Sequence, residues 1–204
     1  MAAREILKTL PRLGLATLIG LAGVCATPVL AQTQDAQQKA AVCAACHVTG
    51  TVQSSSPIPI LWGQNEGYIY LQLRDFKNGV RATPQDATMN ALASAMSDDE
   101  MHAMAKYASA QPWPQIDPVP TDAAPIKQGA TAAAMGDCGG CHFNGWRGYS
   151  ANPRLRGQSP AYLAATIRQF RSGARANSPG MADMLRALDA TDIEAVAAYL
   201  SAVK

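Results

Sequence analysis

Histidine and cysteine are scarce in this chain. Only three of its 204 residues are His and five are Cys, and Cys25 stands apart from the other four. Those four fall into two close pairs, so no Cys remains for a disulfide, a thiol nucleophile or a copper site. Basic clusters are missing too. Lys and Arg total 17 against 15 Asp and Glu, and no patch reaches the size that nucleic-acid binding needs. Long apolar runs are also absent. The stretch from Leu13 to about Val24 contains Gly14, Gly20 and Gly23, precedes Pro28, and falls short of a comfortable membrane-spanning helix.

That stretch reads instead as part of a secretory signal. Arg4, Lys8 and Arg12 precede it, and Val29-Leu30-Ala31 offers small residues for cleavage before Gln32. Residues 1–31 are expected to be a signal peptide that is removed together with Cys25, and the mature protein is expected in the periplasm. A retained membrane anchor is the alternative. From residue 32 onward, 14 basic side chains balance 14 acidic ones, so the +2 of the full chain belongs to its first segment. The balance is uneven along the chain. Residues 32–110 hold five basic and seven acidic side chains, and residues 127–204 hold nine and five. Unequal halves would face different partners.

What is present is a motif written twice: Cys43-Ala44-Ala45-Cys46-His47 and Cys138-Gly139-Gly140-Cys141-His142. Cys-x-x-Cys-His is the attachment signature of a c-type haem. The two thiols add across the haem vinyl groups, and the adjacent His supplies a nitrogen to the iron. A structural zinc site or a redox Cys-x-x-Cys is the alternative. The cofactor expectation is two covalent haems, held by Cys43, Cys46, Cys138 and Cys141, with His47 and His142 on the irons. Export agrees with this chemistry, because c-type haem is attached outside the bacterial cytoplasm.

The motifs belong to a longer repeat. Pro59-Ile60-Leu61-Trp62-Gly63-Gln64 matches Pro153-Arg154-Leu155-Arg156-Gly157-Gln158 at a displacement of 94. Tyr68, Phe76, Gly79 and Arg81 match Tyr162, Phe170, Gly173 and Arg175 at the same displacement. Residues 32–110 and 127–204 are therefore read as two domains. Residues 111–126 carry Pro112, Pro114, Pro118, Pro120 and Pro125, and are expected to form a stiff, non-helical linker. The coarse pattern is helical throughout. Helices are expected over 35–45 and 128–135 before the haem motifs, and over 65–77 and 159–171, where apolar residues recur at helical spacing. Closing helices are expected to start at Ser97 and Thr191, each with a capping-box pattern. Each unit is under 80 residues, marginal for an ordinary core, and a porphyrin would supply what is missing.

The second axial ligand must come from elsewhere. His102 is the only spare histidine, so bis-His ligation of both irons is impossible by count, and His102 reads as an exposed helix residue. Methionine is a soft ligand that raises the potential. Met89 and Met181 occupy corresponding places, seven residues before Met96 and Leu188. They are the expected distal ligands, with Met184 the runner-up in the second half. Met96, Met101, Met104 and Met135 read as packing residues. Two such ligands leave each iron closed, which favours electron transfer over catalysis.

In these elements the sequence resembles the di-haem cytochromes c of the cytochrome c-four type. The resemblance spans both halves and rests on Cys-x-x-Cys-His, Pro-x-Leu-x-Gly-Gln, Tyr…Phe-x-x-Gly-x-Arg, the Met and the closing helix. Trp62 and Arg156 depart from it, standing where the family often has a small residue. The resemblance implies an all-α fold of two tandem class I cytochrome c domains packed as a pseudo-twofold pair. It implies a periplasmic electron carrier serving a redox protein: a terminal oxidase, a dehydrogenase or a quinol-oxidising complex. Peripheral membrane association stays open. It also implies that the carbonyls of Pro59 and Pro153 orient the two ligand histidines. The alternatives are a cytochrome subunit of a flavocytochrome-type dehydrogenase and, further off, a di-haem enzyme.

Overall fold

The computed structural model describes residues 28–204. Of the expected signal peptide, residues 1–27 lie outside the described residues, and Cys25 with them. Residues 28–31 form the first turn of α1 (Pro28–Ala44), which begins before the expected residue 35. The first half continues with α2 (Glu66–Lys77), a 3-10 turn (Pro84–Asp86), α3 (Ala87–Ser94) and α4 (Asp98–Ser109). The second half contains α5 (Ala123–Met135), α6 (Cys138–Cys141), α7 (Phe143–Trp146), α8 (Pro160–Arg171), α9 (Pro179–Leu185) and α10 (Ala190–Ala202). None of the described helices is long and apolar enough to cross a membrane.

Helices α2 and α8 sit where the apolar spacing places them. Ile69, Leu73 and Phe76 are buried from α2, and Leu163, Ile167 and Phe170 from α8. Burial of each such side chain contributes about 1.5–3 kcal/mol. Both helices end at a glycine in the left-handed region, Gly79 at φ 68° and Gly173 at φ 76°. There a side chain would strain the backbone. In α4 the expected capping box is present: Ser97 Oγ accepts from the Glu100 amide at 3.2 Å, and Glu100 accepts from the Ser97 amide at 2.6 Å. In α10 the cap differs from expectation. Asp189, two residues before Thr191, accepts from the Asp192 amide at 2.8 Å, and the Thr191 hydroxyl donates to Asp189. A carboxylate is the stronger acceptor for an orphan helix amide, so the helix starts earlier.

The closing helices form the backbone of each half, α4 on α1 and α2, and α10 on α5 and α8. The α5–α10 crossing is close because Gly129 has no side chain. A Cβ there would lie 2.0 Å from the Ala195 carbonyl oxygen and 2.8 Å from Tyr199 Cβ. Gly129→Ala must push the two helices apart, at about 1–3 kcal/mol. Thermal unfolding of the holoprotein should show this loss, whereas Gly79→Asn, at a position with open space, should cost less.

Two expectations about local structure change. The Pro-rich segment, expected to be stiff, contains a short strand. Its Ile116–Asp117 strand (β2) pairs in parallel with Val52–Gln53 (β1), and Ile116 packs with Val52, Ile60 and Trp113. Its last residues are helical, because Pro125 falls in the first turn of α5, where a missing amide costs nothing. Met101 and Met104 are core residues, but Met135 is 84% exposed and stands outside the core. Trp62 fills the first core at 2% exposure and meets Tyr107 edge-on at 6.5 Å. In the second half Trp146 meets Tyr199, the counterpart of Tyr107, edge-on at 5.8 Å. The same ring pair is thus built from different sequence positions.

Candidate functional site

The first Cys-x-x-Cys-His segment is a helical turn at the end of α1, and the second forms the separate one-turn helix α6 just after α5. The His47 amide bonds the Cys43 carbonyl at 2.8 Å, and the His142 amide bonds the Cys138 carbonyl at 3.0 Å. This spacing brings each His back beneath its first Cys. None of the four described cysteines is in a disulfide. Cys43 and Cys138 are half-buried against the cores, and Cys46 and Cys141 are exposed. Burial pushes the Cys43 and Cys138 thiols up, so neither is a ready anionic nucleophile.

His47 and His142 are held alike. His47 Nδ1 lies 2.8 Å from the Pro59 carbonyl oxygen, and His142 Nδ1 lies 3.0 Å from that of Pro153. A carbonyl only accepts, so each Nδ1 carries the proton and Nε2 keeps its lone pair. Burial lowers the pKa of both rings against the opposing pull of the proline carbonyl, keeping the imidazoles neutral. That is the state a metal needs.

Met89 packs against the same first-half core as Cys43, and Met181 packs against the second-half core with Cys138. Met184 is 37% exposed and stands outside that core. His102 is exposed, stacked on Tyr70 at 3.8 Å, with Asp98 3.6 Å away.

The paired arginines were visible in the repeat but had no assigned role. Each lies over the phenylalanine of its own motif: Arg81 over Phe76 at 4.4 Å, and Arg175 over Phe170 at 4.4 Å. Both are buried where the halves meet. Arg81 pairs with Asp86 at 3.1 Å and donates to Gln72 at 3.0 Å. Arg175 reaches Gln72 at 2.6 Å and Tyr68 at 3.3 Å across the junction, and its Nη1 has no partner. The Tyr162 phenol, which burial alone would raise, is brought down to about 7 by Arg81 and Arg175.

Among the described residues Arg175 pairs with no carboxylate and its Nη1 has no partner, and a buried guanidinium so placed calls for an acidic group. Haem fits the described residues. Its propionates would answer the positive charge of the buried arginines, its vinyls would take the cysteine sulfurs, and its iron would take the Nε2 of His47 or His142.

Paired haem-attachment turns under proline carbonyls, one in each of two helical units, are the architecture of a di-haem c-type cytochrome. Comparison with known proteins narrows this. The Cytochrome c family model matches residues 126–204. The chain is 32% identical over 173 residues to cytochrome c4 of Pseudomonas aeruginosa, covering 80% of this chain and 85% of that one. It is 34% identical over 205 residues to the thiosulfate dehydrogenase electron acceptor of Stutzerimonas stutzeri, covering 90% and 94%. The crystal structure of reduced recombinant cytochrome c4 from Pseudomonas stutzeri matches at TM-score 0.70 and 29% identity, over 84% of this chain and 98% of that one. The chain belongs to the cytochrome c4 family. It carries two covalently bound haems and transfers electrons.

Proposed function

We propose that the protein is exported to the periplasm and carries electrons, one at a time, from a periplasmic dehydrogenase to a further redox protein such as a terminal oxidase. Cleavage after residue 31 would leave two domains, 32–110 and 127–204, joined by residues 111–126. In this reading Cys43 and Cys46 hold one haem, with His47 and Met89 on its iron. Cys138 and Cys141 hold the other, with His142 and Met181. The haem irons supply the one-electron chemistry by cycling between ferric and ferrous states. The chain would do the rest: His47 with Met89 and His142 with Met181 would hold the irons, the proline carbonyls would keep the imidazoles neutral and oriented, and Arg81 and Arg175 would neutralise charge at the junction.

What supports this reading is that each half holds a histidine facing a proline carbonyl and a methionine packed against the same core as the first cysteine of its motif; with Met89 and Met181 as ligands, the irons would offer no site to a substrate. The Stutzerimonas relative points to a thiosulfate-oxidising dehydrogenase as the donor. Exposed apolar residues flank both attachment turns: Val42 and Val48 the first, at 60% and 41%, and Met135 and Phe143 the second, at 84% and 39%. Such patches near a redox group suit transient docking of a redox partner.

Stopped-flow mixing with a purified thiosulfate dehydrogenase and its substrate should reduce both haems, at a rate sensitive to ionic strength. No reduction would remove that donor. If the pure protein turned over thiosulfate unaided, or its ferrous haems bound carbon monoxide readily, the carrier reading would give way to an enzyme.

A further inference from the structure

Two glutamines recognised only as matching letters of the repeat are tied crosswise between the halves. Gln64 is 4% exposed and Gln158 is 2% exposed. Gln64 Oε1 accepts from the Arg154 amide at 2.7 Å, and its Nε2 donates to the Arg154 carbonyl at 2.9 Å. Gln158 Oε1 accepts from the Ile60 amide at 2.7 Å, and its Nε2 donates to the Ile60 carbonyl at 3.0 Å. Each Oε1 is also held by its own half, through the amides of Asn65 and Ser159 at 2.9 Å. Arg154 and Ile60 correspond in the repeat, so the arrangement is reciprocal.

The gripped amides are not arbitrary. The Arg154 N–H belongs to the same peptide group as the Pro153 carbonyl, and the Ile60 N–H to the same group as that of Pro59. Those carbonyls are the ones facing His142 and His47. A continuous chain therefore runs from His142 Nδ1–H through one peptide to Gln64, and from His47 Nδ1–H through another to Gln158. Accepting a hydrogen bond from a peptide N–H polarises that peptide and makes its carbonyl a better acceptor. A better acceptor on Nδ1–H makes the imidazole a stronger donor to the metal.

We propose that Gln64 and Gln158 are positioning residues that act in trans: each tunes the proximal histidine of the opposite half. Gln64 of the first half sets the donor strength of His142, and Gln158 of the second half sets that of His47. A stronger imidazole donor favours ferric iron, so each glutamine lowers the potential of the haem it does not belong to. This rests on the reading of His47 and His142 as iron ligands.

The test uses the full holoprotein, with each haem followed separately by NMR through its histidine ring and methionine methyl signals during a redox titration. Gln64→Met should raise the potential of the second haem and shift the His142 ring proton, leaving His47 in place. Gln158→Met should do the mirror image. The constant for electron sharing between the haems should move roughly threefold to tenfold, in opposite directions in the two variants. Gln64→Glu keeps an acceptor on the Arg154 amide and should not raise the second haem's potential, which guards against a methionine variant that fails to fold. A shift confined to the variant's own half, or equal shifts of both haems, would overturn the proposal. So would a rise in Gln64→Glu matching that in Gln64→Met. Failure of the ligation reading would show differently, as loss of the two-haem low-spin spectrum in the unsubstituted protein.

Discussion

Serine at both Cys138 and Cys141 should remove one of the two haems and leave the second half without a folded core. The reason lies in the small size of the residues that build that half. Ala132, Ala133, Ala164 and Ala197 are among its buried residues, and Gly129 holds two helices at contact distance. A unit under 80 residues buries only about 60% of its surface, which is marginal without added apolar volume. The porphyrin is that volume. Mass spectrometry should show one haem addition in place of two, and far-UV circular dichroism should show loss of much of the second-half helix. Two additions, or a folded second half without haem, would contradict the account.

The second large effect concerns the distal side. Met89→Ala and Met181→Ala should each turn one haem high-spin and open it to carbon monoxide, while the other stays low-spin. Met89 packs against the same core as Cys43, and Met181 against the same core as Cys138. Loss of a thioether removes the ligand that favours ferrous iron, so the affected potential should fall. The weak near-infrared band of ferric methionine ligation should drop by about half in either variant. Met184, 37% exposed, offers a direct comparison. If Met184→Ala produced the high-spin haem and Met181→Ala did not, the assignment in the second half would be wrong.

Much of this was legible in the chain. Helices α2 and α8 end within a residue of where spacing and glycine place them, because their apolar faces and left-handed stops are local features. The capping box at Ser97 was readable for the same reason. The proline carbonyls facing the histidines followed from the family resemblance. What escaped depends on contacts between halves, which spacing does not encode. Gln64 and Gln158 stood in register, yet their partners lie 90 and 98 residues away. The strand at Ile116 has only two residues, too few for any periodicity, and five nearby prolines disguised it as a spacer. Met135 shows the limit of composition: at a helix end it simply faces water.

The pairing of β1 with β2 sets an order of events for a chain that emerges N-terminus first. Val52 and Gln53 find their strand partners only after Ile116 and Asp117 have appeared. The loop that carries Pro59 waits longer still, until Gln158 arrives to hold Ile60. Cys43 and Cys46 therefore emerge while their surroundings are unfinished, which is when a haem-attachment machinery needs them accessible. The first half is born first, but the loop that faces His47 gains its last partner only when Gln158 of the second half has been made.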